Sequence, residues 1–246
     1  MKRYKWEIQL GLSLIALSIL IYLIHYLLFR DAHHIFLWSL TAIAFLPISV
    51  LFVTLIINRL LIGREKRARL EKLNMVIGAF FSEVGTRLLT YFSDSDPKLD
   101  KIRQDLIVTN GWSEQEFFSA SQRLSNFDYR VEIKKIDLEF LHNLLVEKRD
   151  FLLRLLENPV LLEHVSFTEF LQAVFHLTEE LASREDLGQL PDTDYEHLAG
   201  DIERAYSLLV YEWLNYMKYL KDNYAYLFSL AMRTNPFDMN ASPEVR

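Results

Sequence analysis

Residues 8–29 read IQLGLSLIALSILIYLIHYLLF, and residues 35–58 read IFLWSLTAIAFLPISVLFVTLIIN. Neither stretch contains a formally charged side chain, and their lengths of 22 and 24 residues decide the fold. A bilayer core about 30 Å thick is spanned by roughly 20 helical residues. Both runs meet that length, with Pro47 the one helix breaker inside either. A proline is tolerated in a spanning helix because its neighbours re-satisfy the freed carbonyl. Only Arg30-Asp31-Ala32-His33-His34 separates the runs. So short a connection predicts two adjacent antiparallel helices, a transmembrane hairpin with spans over about 7–29 and 35–61.

The competing reading of the first run is a secretory signal peptide, since Lys2, Arg3 and Lys5 give it a basic start. The apolar stretch exceeds the roughly 7–15 residues of such a segment, and no small-x-small cleavage pattern follows it. Lysine and arginine near the span ends set the orientation. One flank carries Lys2, Arg3 and Lys5, and the other carries Arg59 and the collar Arg64, Lys66, Arg67, Arg69 and Lys72. The connection has Arg30 alone, balanced by Asp31. The expected topology is a multi-pass inner (plasma) membrane protein with both termini cytoplasmic. Tyr4 and Trp6 at one interface, and Tyr22, Tyr26 and Trp38 at the other, fit aromatic belts.

Beyond Lys72 the chain holds 29 acidic and 17 basic residues, a net of −12, whereas 64–72 carries +3. Anionic headgroups attract the basic collar by about 1 kcal/mol per residue and repel the acidic body. The same imbalance argues against nucleic acid as a partner, because phosphate binding needs a concentrated basic face.

The acidic part reads as a helical bundle, so the fold class expected is all-α throughout. Leu70, Leu73, Ile77, Phe80, Phe81, Val84, Leu88 and Phe92 recur at helical spacing, on a helix that continues from the second span across Gly63. Asp94-Ser95-Asp96-Pro97 stops it and opens another, with Pro97 as first helical residue. Ser113 with Glu116, and Ser166 with Glu169, read as capping boxes. Asp137 opens an apolar helix that Pro159 ends, while Asp105–Thr109 and Arg130–Ile136 are the only strand-like segments. A polar linker from Ser183 to Asp192 precedes a helix from Thr193 to Arg233, broken near Asp222-Asn223. The organisation is therefore a hairpin over 1–62, a collar and juxtamembrane helix over 63–93, an acidic helical domain over 94–234, and a loose polar tail over 235–246.

Chemistry is largely excluded. Cysteine is absent, which removes disulfides, thiolate metal sites and cysteine nucleophiles. The seven glycines form no G-x-G or P-loop pattern, so the usual phosphate-cradling turns are missing. Glu139 and His142 match E-x-x-H once, but helical di-iron sites need that pair twice plus two further glutamates. No cofactor, metal or catalytic residue is assigned. His25 shares a face with Gly11, Ser18 and Tyr22 and reads as a packing residue; His33 and His34 read as a solvated turn. Asp94, Asp96 and Asp100 lack the glycine and terminal glutamate of a calcium loop.

The last helix is apolar over most of its circumference, which places it centrally in a bundle or in an interface. Tyr206, Trp213, Tyr216, Tyr224 and Tyr226 are its candidate interface residues, because aromatic side chains anchor partner surfaces. Gly78 and Gly85, a heptad apart, suggest close helix approach and self-association. The function expected is a non-enzymatic, membrane-anchored scaffold or accessory subunit, with the lipid bilayer and a protein partner or second copy as its contacts. The alternatives are a small oligomeric channel or membrane-active effector lined by the hairpin, and a helical metalloenzyme using Glu139 and His142.

Overall fold

The computed structural model describes residues 2–244; the side chains of residues 2–5, 7 and 67 lie outside the description. The expectations placed on Lys2, Arg3, Tyr4, Lys5 and Arg67 therefore fall outside the described residues. All described elements are helices, and neither strand-like segment forms a strand. Residues 107–109 and 130–132 run as irregular backbone, with short 3-10 turns at Arg103–Leu106 and Ile133–Lys135. The chain divides into two compact units, Met1–Lys66 and Arg67–Arg246.

In the first unit, α1 covers Lys2–Phe29, and α2 begins at Ala32 and runs on to Phe80 in the second, unbroken at Pro47 and Gly63. The connection is shorter than the five residues between the uncharged runs, because only Arg30 and Asp31 are non-helical. Arg30 adopts φ 47°, the left-handed conformation that ends a helix, and its amide donates to the Tyr26 carbonyl at 2.8 Å. The Asp31 carboxylate accepts from the His34 amide at 3.0 Å and so caps the next helix. The His25 and His34 rings lie nearly parallel, with centroids 6.1 Å apart, which brings the ends of the two helices side by side. Ile8–Phe29 and the apolar part of α2 are each long and apolar enough to cross a bilayer, and none of either apolar window is buried.

The second unit is built around α9 (Asp192–Asn223), which α3 (Thr86–Ser93), α4 (Glu114–Ser125), α8 (Val165–Ala182) and α10 (Ala225–Arg233) all touch. A second layer of α5 (Leu138–Glu147), α6 (Arg149–Leu156) and α7 (Pro159–Leu162) packs on α8. Leu198, Ile202, Tyr206, Leu209, Val210, Trp213 and Met217 are all buried and share one broad face of α9, which the buried Ala205 and Leu214 widen on either side. That explains the wide apolar arc of the sequence. The helix ends at Asn223 and restarts at Ala225, close to the expected break.

Capping follows the sequence in part. Ser113 and Glu116 form the expected reciprocal box, and the Asp137 carboxylate accepts from the Phe140 amide at 2.9 Å. The box expected at Ser166 is displaced: α8 starts at Val165, and His164 Nδ1 accepts from the Phe167 amide at 3.3 Å. Pro97 opens no α-helix, only two short 3-10 turns, and Pro159 begins a helix rather than ending one. The tail is not loose at its start. Phe237 is fully buried with its ring 5.0 Å from that of Trp213, and the Asn235 amide donates to the Leu106 carbonyl at 2.8 Å. One aromatic side chain with a pocket waiting for it is enough to fix an otherwise polar segment.

Between α2 and α3, Phe81–Gly85 form a π-turn. The extra residue it inserts changes the helix's angular register, and the consecutive Phe80 and Phe81 both reach the core. Phe80 meets Phe167 and Phe170 of α8 edge-on at 5.6 and 5.0 Å, while Phe81 stacks on Tyr216 of α9 at 5.1 Å. The glycines read as self-association residues serve this packing instead. A Cβ on Gly85 would lie 2.5 Å from Phe80 Cε1, and one on Gly78 would lie 2.7 Å from the Tyr216 hydroxyl. Gly200, by contrast, has open space where a Cβ would go. Gly85→Ala is expected to cost about 1–3 kcal/mol through overpacking. Gly200→Ala is expected to gain about 0.5–1 kcal/mol from helix propensity. Thermal unfolding of the full chain in detergent, followed by circular dichroism, reads these as Tm shifts of opposite sign.

Candidate functional site

Of the five aromatic interface candidates, Tyr206 and Trp213 are buried among the side chains of their own domain. The Tyr206 ring packs edge-on against Phe92 and Tyr129, at 6.0 and 5.0 Å. Their surface is used within the chain and is not available to a partner. Tyr216 is half-buried against Phe81, and Tyr224 directs its hydroxyl to Glu71 Oε1 at 3.4 Å. Only Tyr226 stands open, at 72% exposure, and Leu227 and Leu230 beside it on α10 are also exposed. Among the five candidates, the one that faces outward is thus on the short terminal helix.

The collar is also partly engaged. One guanidinium nitrogen of Arg69, Nη1, donates to both carboxylate oxygens of Glu163, at 2.9 and 2.8 Å. The pair is well exposed, so it contributes at most about 1 kcal/mol. Arg64, Lys66 and Lys72 are exposed.

The E-x-x-H match does not assemble into a site. Glu139 is exposed, and His142 Nδ1 faces the neighbouring Asn143 Oδ1 at 3.2 Å. The histidines that do converge are elsewhere. His176 and Glu180 lie one turn apart on α8, and His197 and Asp201 lie one turn apart on α9. His176 Nε2 is 3.7 Å from Glu180 Oε1 and 3.5 Å from Asp201 Oδ2. His197 Nε2 is 3.6 Å from Glu180 Oε2 and 3.4 Å from Asp201 Oδ2. Imidazole and carboxylate therefore alternate around a ring that bridges the two helices.

Local structure explains why these four meet. The Arg184 guanidinium, at the end of α8, grips Asp194 at the start of α9 through two nitrogens at 2.8 and 2.6 Å. A third nitrogen donates to Glu180 Oε2 at 2.9 Å. These bonds hold the Asp194 and Glu180 carboxyls below their ordinary range, the Arg184 hydrogen bonds being the main cause for each. They also fold the linker so that the first turns of α9 lie against the last turns of α8. Asp201 is only 5% exposed, and its Oδ2 has no hydrogen-bond partner, although both histidines stand within 3.5 Å. The two histidines are about half exposed. Spacing alone hid this group from a sequence reading, because an H-x-x-x-acid pair is an ordinary helix-surface pattern. Its occurrence twice, on consecutive helices joined by a short linker, was the available signal.

A second buried charge lies on α9. Glu212 is 1% exposed, and its Oε1 has no partner. Burial pushes its carboxyl up to about 7, and a hydrogen bond with the Ser166 side chain offsets only part of this.

A family model described as the C-terminal helical domain of the uncharacterized protein MJ1433 matches residues 69–233. A second, described as the N-terminal helical domain of MJ1433, matches residues 1–61. The uncharacterized protein MJ1433 of Methanocaldococcus jannaschii is 50% identical over 237 residues, covering 96% of this chain and 94% of that protein. No solved structure matches the chain.

Glu212 gives the domain a defined pH response. Its folded pKa of about 7 lies above the ordinary 4.5, so the folded state favours the protonated form. Its contribution is therefore intact at low pH, falls as pH rises above about 4.5, and levels off above about 7. The full loss is about 3 kcal/mol. Glu212→Gln is expected to remove this part of the decline and to raise Tm at pH 8 relative to pH 5. Thermal unfolding at the two pH values checks it.

Proposed function

The chain belongs to the MJ1433 family, and from its residues we propose that it is a membrane-anchored, non-enzymatic scaffold or accessory subunit. The observation that carries the reading is the state of the two apolar helices. From Ile8 to Ile62 every leucine, isoleucine, phenylalanine and valine side chain except the half-buried Ile35 stands exposed, and none of either apolar window is buried by the rest of the chain. In water each such side chain left uncovered forgoes about 1.5–3 kcal/mol. Lipid removes that penalty, and the helices satisfy their own backbone groups as a bilayer requires. Their polar side chains do the same: Thr41 donates to the Leu37 carbonyl at 2.9 Å and Ser49 to that of Phe45 at 3.2 Å.

The charge pattern supports an orientation with both termini in the cytoplasm. The acidic helical domain then stands on the cytoplasmic side, held by a short basic segment. A contact role is supported by the exposed face of α10, where Tyr226, Leu227 and Leu230 present apolar surface beside the polar start of the tail. Partner contact through that face needs no catalytic group.

Both halves of the proposal are testable. The chain has no cysteine, so Ala32→Cys and Ser242→Cys each introduce a single label site. A membrane-impermeant maleimide is expected to label the cysteine at 32 in intact cells and the one at 242 only after permeabilisation. The reverse pattern contradicts the orientation. Gentle extraction from native membranes is expected to yield an assembly larger than one chain, reduced by the double substitution Tyr226→Ala and Leu230→Ala. A monodisperse monomer in both cases contradicts the subunit role.

A further inference from the structure

The alternating ring of His176, Glu180, His197 and Asp201 has the composition, spacing and electrostatics of a cation site. We infer that these four residues bind a divalent transition-metal ion of the zinc type and that the ion clamps α8 to α9. Four observations carry this. First, the donor set is two imidazoles and two carboxylates, hard-to-borderline ligands that suit zinc and its neighbours. Second, the distances between donor atoms fit a common centre. A tetrahedron with metal–ligand bonds of about 2.0–2.2 Å has edges of about 3.3–3.6 Å. One Glu180 oxygen and the Nε2 atoms of His176 and His197 all lie within 4.8 Å of one another, and Asp201 Oδ2 lies 3.5 and 3.4 Å from those two nitrogens. These separations are longer than ordinary hydrogen bonds, which lie near 2.7–3.2 Å.

Third, Asp201 is buried and its Oδ2 is unpartnered, yet it faces both histidine Nε2 atoms. A buried carboxylate oxygen without a hydrogen bond costs free energy that a cation would recover. Fourth, an outer contact orients one ligand. A guanidinium nitrogen of Arg184 donates to Glu180 Oε2 at 2.9 Å. Partners of this kind fix the rotamers of metal ligands. Three donors, from His176, Glu180 and His197, already lie together, and a small movement of the Glu180 carboxylate toward Asp201 completes the four-ligand pattern of structural zinc. The site's place between two long helices makes it a clamp for the largest helix pair of the domain.

The test uses the full chain in detergent, without a histidine tag, stripped with chelator and then titrated with Zn²⁺ by calorimetry. One equivalent is expected to bind. At a free concentration about a hundredfold above Kd, Tm is expected to rise by about 5–10 °C, reversed by chelator. Co²⁺ in place of Zn²⁺ is expected to show the visible absorption of a tetrahedral ion. His176→Ala and His197→Ala change half-exposed positions, and Asp201→Asn keeps the shape of the buried one. Each is expected to weaken binding by at least about 100-fold, whereas His142→Ala leaves it unchanged. Absence of saturable binding to the unsubstituted chain overturns the inference. So does unchanged affinity in the His176→Ala and His197→Ala double variant with native helical content.

Discussion

The first unit is governed by one constraint: among the described residues, the rest of the chain buries none of either apolar window within residues 8–62. A domain of ordinary composition buries its leucines and isoleucines against one another, and the second unit does so. The first unit has two helices whose apolar windows the described chain leaves unburied. On the membrane reading proposed above, lipid takes the place of a core. The absence of charge from the runs and the two-residue connection both follow, and so does the concentration of arginine and lysine after Asn58. The continuous α2 then carries the chain from apolar residues to the amphipathic ones at Leu73 and Ile77 without a loop.

Within the second unit the organising element is α9. A helix with so broad an apolar face is stable only if others cover it, and α3, α4, α8 and α10 do so. The aromatic side chains that made this helix look like a binding surface are its internal packing. Tyr206 sits among Phe92 and Tyr129, and Trp213 is closed over by Phe237 from the tail. The two buried polar side chains on α9 are informative because the buried residues around them are apolar. Glu212 is buried without a full set of partners, and Asp201 faces two histidines from the one edge where α9 meets α8 near solvent.

Local patterns were legible in the sequence where they depend on neighbours along the chain. The Ser113–Glu116 box, the Asp137 cap, the linker that ends at Asp192 and the break after Asn223 are all set by a few consecutive residues. Features set by distant residues were not legible. His164 caps α8 in place of Ser166, which no spacing distinguishes in advance. The π-turn at Phe81–Gly85 exists because Phe80 must meet α8 while Phe81 meets α9, and Gly85 makes room for the Phe80 ring. Phe237 needed Trp213 to be visible as a core residue. The histidine–carboxylate ring depends on Arg184 folding the linker back, a contact between residues 184 and 194 that gives no sign in either helix alone.

The central claim is that lipid is the environment of the first 62 residues, and alkaline carbonate washing of membranes from cells producing the full chain tests it most directly. Carbonate strips proteins held only by charge or by other proteins, and it leaves those whose apolar helices lie in the bilayer. The chain is expected to remain in the membrane pellet. Recovery of the folded chain in the carbonate supernatant would contradict the claim.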